Sequence, residues 1–258
     1  MPADISWNQL GLQVFTFLLL GALVYGLTKI MRFRYRGWSI ADARRSAWSA
    51  LVAILLPMVF VTIIGWAMSR QATGPVSGSP IIHTGYSVIN QLIAYLLFCG
   101  PAILVLRTRK ESWDSIGLTT HNLNRSLFLG SLLAATTILT CNECLKGITA
   151  GLNANHFWAL LQFSVVGISE ELLFRGYLQS RLMAWLGQLR GWPLASILMA
   201  LVHIAQRMVV GGLNPIAALI SSAALIPISL LMGYVLLRTE NIVAPAIFHT
   251  FADWVGVF

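Results

Sequence analysis

Four ionisable side chains stand inside apolar segments of the last third of this chain: Glu170, His203, His249 and Asp253. Glu171 and Arg175 accompany Glu170 in one apolar run, 157–178. An ionisable group at the centre of a membrane helix costs at least about 2.5–3.5 kcal/mol on insertion scales, so a cluster of them needs a reason. On a helix Glu171 and Arg175 lie four residues apart and share a face, so they can pair. Glu170 is turned about 100° from Glu171 by the 3.6-residue turn and stays free of that pair. The arrangement points to one carboxylate held structurally by arginine and one available for chemistry. The plainer alternative is that all three charges only lock helices together.

The two histidines weigh against that alternative. His203 lies in an apolar run at 193–210, and His249 lies in another at 241–258, four residues before Asp253 and on its face. A lone intramembrane histidine is more often a bond between helices than a catalyst. Here depth argues for convergence. Counted from run ends at Leu178, Pro193 and Asn241, Glu170 is eight residues in, His203 ten and His249 eight. At about 1.5 Å per residue all three lie roughly 12–15 Å from one boundary. The simplest account is one polar cavity, with Asp253 about one turn deeper. Arg207, four beyond His203, could pair with Asp253 or simply line its helix.

Two chemistries fit this set, and both are hydrolytic. In one, Glu170 is a general base on water while His203, His249 and Asp253 position it or stabilise an oxyanion. In the other, Glu170, His203, His249 and Asp253 bind zinc, which lowers the water's pKa. No H-E-x-x-H pair stands on one helix, so the metal-independent version, with no cofactor required, is favoured.

Those elements must be membrane helices. The chain has 258 residues, of which 57% are hydrophobic and only 10% charged, too apolar for a soluble domain. About 20 apolar residues cross a bilayer core. Eight such runs are read at 10–30, 47–68, 86–106, 127–145, 157–178, 193–210, 215–237 and 241–258. The expected fold is all-α, a single polytopic bundle of about eight transmembrane helices over 1–258, with the motifs in 157–258. Pro193 should start a helix, the glycines and proline at 211–215 should break a boundary, and Pro227 should kink the seventh run.

The net charge of +8 does not imply nucleic acid, because no basic stretch is interleaved with base-stacking aromatics. Much of it falls in short joins beside apolar runs. Arg32, Arg34, Arg36, Arg44 and Arg45 lie in the first join, Arg107, Arg109, Lys110 and Arg125 in the third. Arg181 and Arg190 lie in the fifth and Arg238 in the seventh, whereas the alternate joins hold only Arg70 and Lys146. The positive-inside rule then puts both termini outside the cytoplasm. Residues 1–9 carry Asp4 and no Lys or Arg, which is not the basic start of a cleaved signal. His83, His121 and His156 read as solvated residues in loops or at span ends. Cys99 reads as a small core residue. Cys141 and Cys144 have C-x-x-C spacing; two unremarkable thiols is the plainer reading, and a disulfide would need an oxidising compartment.

The run Glu170-Glu171-Leu172-Leu173-Phe174-Arg175-Gly176-Tyr177-Leu178, then His203, then His249 with Asp253, resembles the CPBP family over about 160–254. This group comprises the CaaX prenyl endoproteases and their bacteriocin-processing and abortive-infection relatives. The E-E-x-x-x-R motif falls on Glu170, Glu171 and Arg175. The F-x-x-x-H motif falls on Met199 and His203, with Met in place of Phe, and H-x-x-x-N/D falls on His249 and Asp253. The resemblance implies a bundle of about eight helices and an intramembrane endopeptidase. Glu170 would activate water, His203 would assist or stabilise the oxyanion, and His249 with Asp253 would complete the site, supported by Glu171 and Arg175. The family's historical label is metalloprotease. A peptide or protein substrate associated with the lipid bilayer follows, in a bacterial inner membrane. The competing expectations are a non-catalytic immunity or partner-binding protein using the same cavity, and a proton-coupled transporter.

Overall fold

The computed structural model describes residues 7–69, 82–209 and 211–258, with side chains other than those of 7–16, 60, 61 and 64–69. Asp4 and Arg70, which entered the loop reading, lie outside the described residues. Among the described residues the regular structure is all helical, with no strand. The helices in order are α1 (Trp7–Ile30), α2 (Ala43–Ser69), α3 (Gly85–Thr108), α4 (Leu123–Thr140), α5 (Asn142–Ala150) and α6 (Ala154–Glu170). They continue as α7 (Ser180–Leu186), α8 (Gln188–Val209), α9 (Pro215–Ala223), α10 (Ile226–Thr239) and α11 (Val243–Trp254). Among the described residues five rods are long and apolar enough to cross a membrane: Gly85–Thr108, Leu123–Thr140, Ala154–Leu186, Gln188–Val209 and Pro215–Thr239. Many large apolar side chains point outward from them, among them Leu96, Leu97, Leu104 and Ile220, as lipid-facing surfaces require. The molecule is a multi-pass helical membrane bundle.

Several boundaries differ from the sequence reading, each for a local reason. The fifth run does not stop at 178. A nine-residue π-helix, Glu171–Gln179, joins α6 to α7 and makes one rod. Carbonyls of Gly176 and Tyr177 in this wider winding accept bonds from the Ser180 hydroxyl and the Arg181 guanidinium. A Cβ on Gly176 would stand 2.5 Å from the Ile116 carbonyl, so glycine lets the 3-10 turn Trp113–Ile116 seat against this winding. Pro193 lies inside α8 rather than at its start. The seventh run breaks at Ala224 and Leu225 into α9 and α10, and Pro227 occupies the first turn of α10, where its missing N–H costs nothing. The fourth run breaks at Cys141, which caps α5.

Two faces of the bundle are distinct. On one, the basic joins are tied down by polar bonds. Glu240 accepts from the Arg36 and Gly37 amides, and Asn241 donates to the Thr119 and His121 carbonyls. On the other lie α5, the start of α6 and the end of the chain. Phe258 stacks on His156, whose carbonyl accepts from Trp254. α11 has 12 residues and measures about 18 Å; with its terminal 3-10 turn it runs beside α4 from the first face to the second.

The remaining histidines and cysteines correct the sequence reading. His83 is buried and bonds Gln162 at 2.9 Å. His121 donates to the Arg34 carbonyl. His156 completes a capping box with Asn153. Cys141 and Cys144 form a disulfide, and Cys99 is buried as expected.

Arg181 is not a loop charge. It is fully buried and reaches Glu111 at 2.5 Å, and Glu111 also takes Arg109 and the Ser46 hydroxyl. Burial pushes the Glu111 carboxyl up, but the bonds from Arg109, Ser46 and Arg181 outweigh it and hold the carboxyl below its usual value. A depressed carboxylate adds stability that is fully present above the ordinary value of 4.5 and is lost as pH falls through the folded value. Melting of the detergent-solubilised protein is therefore expected to fall on acidification below that point, and Glu111→Gln should flatten this part of the curve. An unchanged slope in the variant would refute the assignment.

Candidate active site

The π-winding begins at the residue after Glu170, which closes α6. π-helical turns occur often at functional sites because they aim side chains that an α-helix would turn elsewhere. Glu170 faces α3, α8 and α11. Its Oε1 accepts from the Tyr95 hydroxyl of α3 at 2.5 Å. Its Oε2 lies 3.9 Å from His203 Nε2 and 3.9 Å from His249 Nε2. Those gaps exceed a direct hydrogen bond and have room for a bridging water.

Both imidazoles are anchored through Nδ1. In His203 it bonds the Met199 carbonyl at 2.7 Å, one turn back along α8. Met199, standing where the family motif has Phe, contributes that backbone atom and is itself buried. In His249 the partner is Glu171 Oε1 at 2.9 Å, across from α11 to the π-helix. Each anchored Nδ1 fixes ring orientation and leaves Nε2 turned to Glu170. Asp253 Oδ2 stands 3.4 Å from His249 Nε2 and is the most exposed of the set.

Glu171 therefore has two partners. Arg175 Nε lies 3.3 Å from its second oxygen, the i,i+4 pair expected from spacing. Both residues are buried, at 0% and 2% exposure. The contact is one of charges rather than an aligned hydrogen bond, and Arg175 also reaches Met232 Sδ. The helix crossing that brings α11 here depends on Gly167. A Cβ there would meet Thr250 Oγ1 at 2.7 Å and the Thr250 amide at 2.9 Å. Small residues let helix backbones approach this closely in membranes.

The structure thus brings Glu170, His203, His249 and Asp253 together, with Glu171 and Arg175 behind His249. Sequence reasoning missed Tyr95 and the bond from Glu171 to His249. A tyrosine in an apolar helix has no signal of its own, since its ring belongs there. Arg207 lines the same polar cavity with Gln91 and Gln162. Among the described residues no ion pair joins it to Asp253, so it lines α8.

The donor types would suit zinc. Among the described residues, however, no three His, Cys, Asp or Glu side chains converge as a ligand set, and one oxygen of Glu170 is already taken by Tyr95. The residues as placed do not fit a metal centre, and no step below runs through one.

Of the comparisons with known proteins, one meets the motif region. Neither the curated proteins nor the solved structures contain a match to the chain. A family model does match, described as Rce1-like, type II CAAX prenyl endopeptidase Rce1-like, over residues 152–255. That interval holds all six motif residues and implies intramembrane endopeptidase activity. Over residues 152–255 the chain thus carries an Rce1-like domain of the CPBP/CAAX protease family.

Proposed function

We propose that the chain hydrolyses a peptide bond of a membrane-associated peptide or protein, with Glu170 as general base. The observation that carries this reading is the position of Glu170 Oε2, equidistant from two Nε2 atoms while Oε1 is bound elsewhere. A water among these three atoms gives its proton to Glu170 as its oxygen attacks the scissile carbonyl. His203 orients that water. The carbonyl oxygen becomes an oxyanion and takes a hydrogen bond from Nε2–H of a protonated His249, which Glu171 and Asp253 hold in place. Glu170 then passes the proton to the leaving amine as the C–N bond breaks, and the base is restored.

Two observations support an orientation. The basic joins share one face, as cytoplasmic loops do. The disulfide lies towards the opposite face, and disulfides persist in oxidising compartments. We therefore place both termini outside the cytoplasm, in a bacterial inner membrane as the resemblance to the CPBP family implies.

The test is turnover of a broad peptide library by the purified protein, with and without a strong chelator. Cleavage that persists with chelator is the expected result. Cleavage lost with chelator and restored by zinc would overturn the metal-free mechanism. No cleavage of any peptide, together with full complementation of a deletion by Glu170→Ala, would favour a partner-binding protein instead.

A further inference from the structure

The Tyr95 hydroxyl belongs to a helix outside the matched interval and makes the shortest contact in the site. It donates to Glu170 Oε1 at 2.5 Å and is the one side-chain hydrogen bond that Glu170 makes among the described residues. The two histidines stand farther off, at 3.9 Å, on the other oxygen. A carboxylate is free to rotate about its last bond, so without a fixed partner its plane turns and neither oxygen stays between the two Nε2 atoms. With Oε1 held, Oε2 is kept where both Nε2 atoms face it.

Tyr95 also stands in a wall. Two cavities meet at Glu170 and His203. One is mainly apolar, lined by Ile54, Met58, Phe98 and Phe174. The other is polar, lined by Gln162, Arg207, His249 and Asp253. Tyr95, Glu170 and His203 line both. The ring faces apolar neighbours, packing near Phe98, and the hydroxyl faces the carboxylate.

Resting on the peptidase reading, we propose that Tyr95 is a positioning residue for Glu170. Its hydroxyl fixes the plane of the carboxylate so that one oxygen stays on the water, and its ring keeps the apolar wall intact. The two functions separate in Tyr95→Phe, which deletes the oxygen and keeps the ring.

The experiment measures kinetics and infrared spectra on the same purified full-length proteins. Tyr95→Phe is expected to lower kcat about tenfold, the scale of one hydrogen bond to a charged group, and to leave KM unchanged. In a Glu170→Gln background the same substitution should change residual turnover by less than twofold. Equal losses in both backgrounds, or an unchanged kcat, would overturn the proposal. The spectra need no turnover. The wild-type minus Glu170→Gln difference identifies the Glu170 carboxylate band, and removing its hydrogen bond should move that band in Tyr95→Phe. A band left in place would overturn the proposal even in an active enzyme. A shifted band in a protein that cleaves nothing would keep the Tyr95–Glu170 contact and reject the peptidase reading. Should Tyr95→Phe fail to fold, 3-fluorotyrosine at position 95 keeps the shape and must shift the same band.

Discussion

Glu170→Gln is expected to lower kcat by about 10²–10⁴-fold, the range of general base catalysis. Glutamine keeps the size of glutamate and can still accept from Tyr95 through its carbonyl oxygen. What it cannot do is take a proton from water. KM should therefore stay near its wild-type value, because the loss falls on the transition state alone. The measurement is steady-state cleavage of the peptide that the library identifies. A glutamine variant with wild-type kcat would end the mechanism, since among the described residues no other carboxylate lies between the two Nε2 atoms. His249 would then remain as a structural bond between helices, and His203 as a ring anchored on its own helix.

The second large effect concerns stability. Arg175→Met should destabilise the fold by on the order of 3–5 kcal/mol, because it leaves Glu171 buried without its counter-charge. Glu171 is 0% exposed and cannot turn to water. Its remaining partner, His249 Nδ1, does not replace a permanent guanidinium. The double variant Glu171→Leu with Arg175→Met removes both charges and should recover most of that loss, since apolar replacement of a buried pair is often neutral. It should not recover turnover. His249 would lose the acceptor that sets its ring, and its Nε2 would no longer be held towards Glu170. Denaturant unfolding in detergent checks the first part and peptide cleavage the second. A stable and fully active double variant would show that Glu171 only balances Arg175.

These expectations show what a sequence can carry. Glu170 and the two histidines were legible because each is expensive in an apolar helix and the three share one depth, and Asp253 because it follows His249 by one turn on the same face. The Glu171–Arg175 pair was legible because it lies within one helix, where spacing fixes the face. The bond from Glu171 to His249 was not, because it joins helices whose mutual rotation is set by close packing at Gly167 and Thr250. Arg181 was misread for a related reason. A basic residue just past an apolar run looks like a loop anchor until its partner Glu111 is known, and that partner stands 70 positions earlier. Each of the eight runs meets a helix, but among the described residues five rods are long and apolar enough to span; the fourth run merged α4 with α5, and the seventh merged α9 with α10 because Pro227 marks a helix start and a kink equally well.

The π-winding has a consequence for how this domain can vary. Glu170 stands on the α-wound side of the join, and Arg175 and Arg181 lie beyond its start. A one-residue deletion between Leu172 and Leu178 that kept the winding would carry every later residue back one position. Everything on one side of the deletion would then turn by roughly a quarter of a turn against the other. Glu170 could keep its place only if the Arg181 anchor left Glu111, and the anchor could stay only if Glu170 left its histidines. Length between these two residues is therefore as constrained as their identity, and an alignment that opens a gap here aligns the wrong carboxylate.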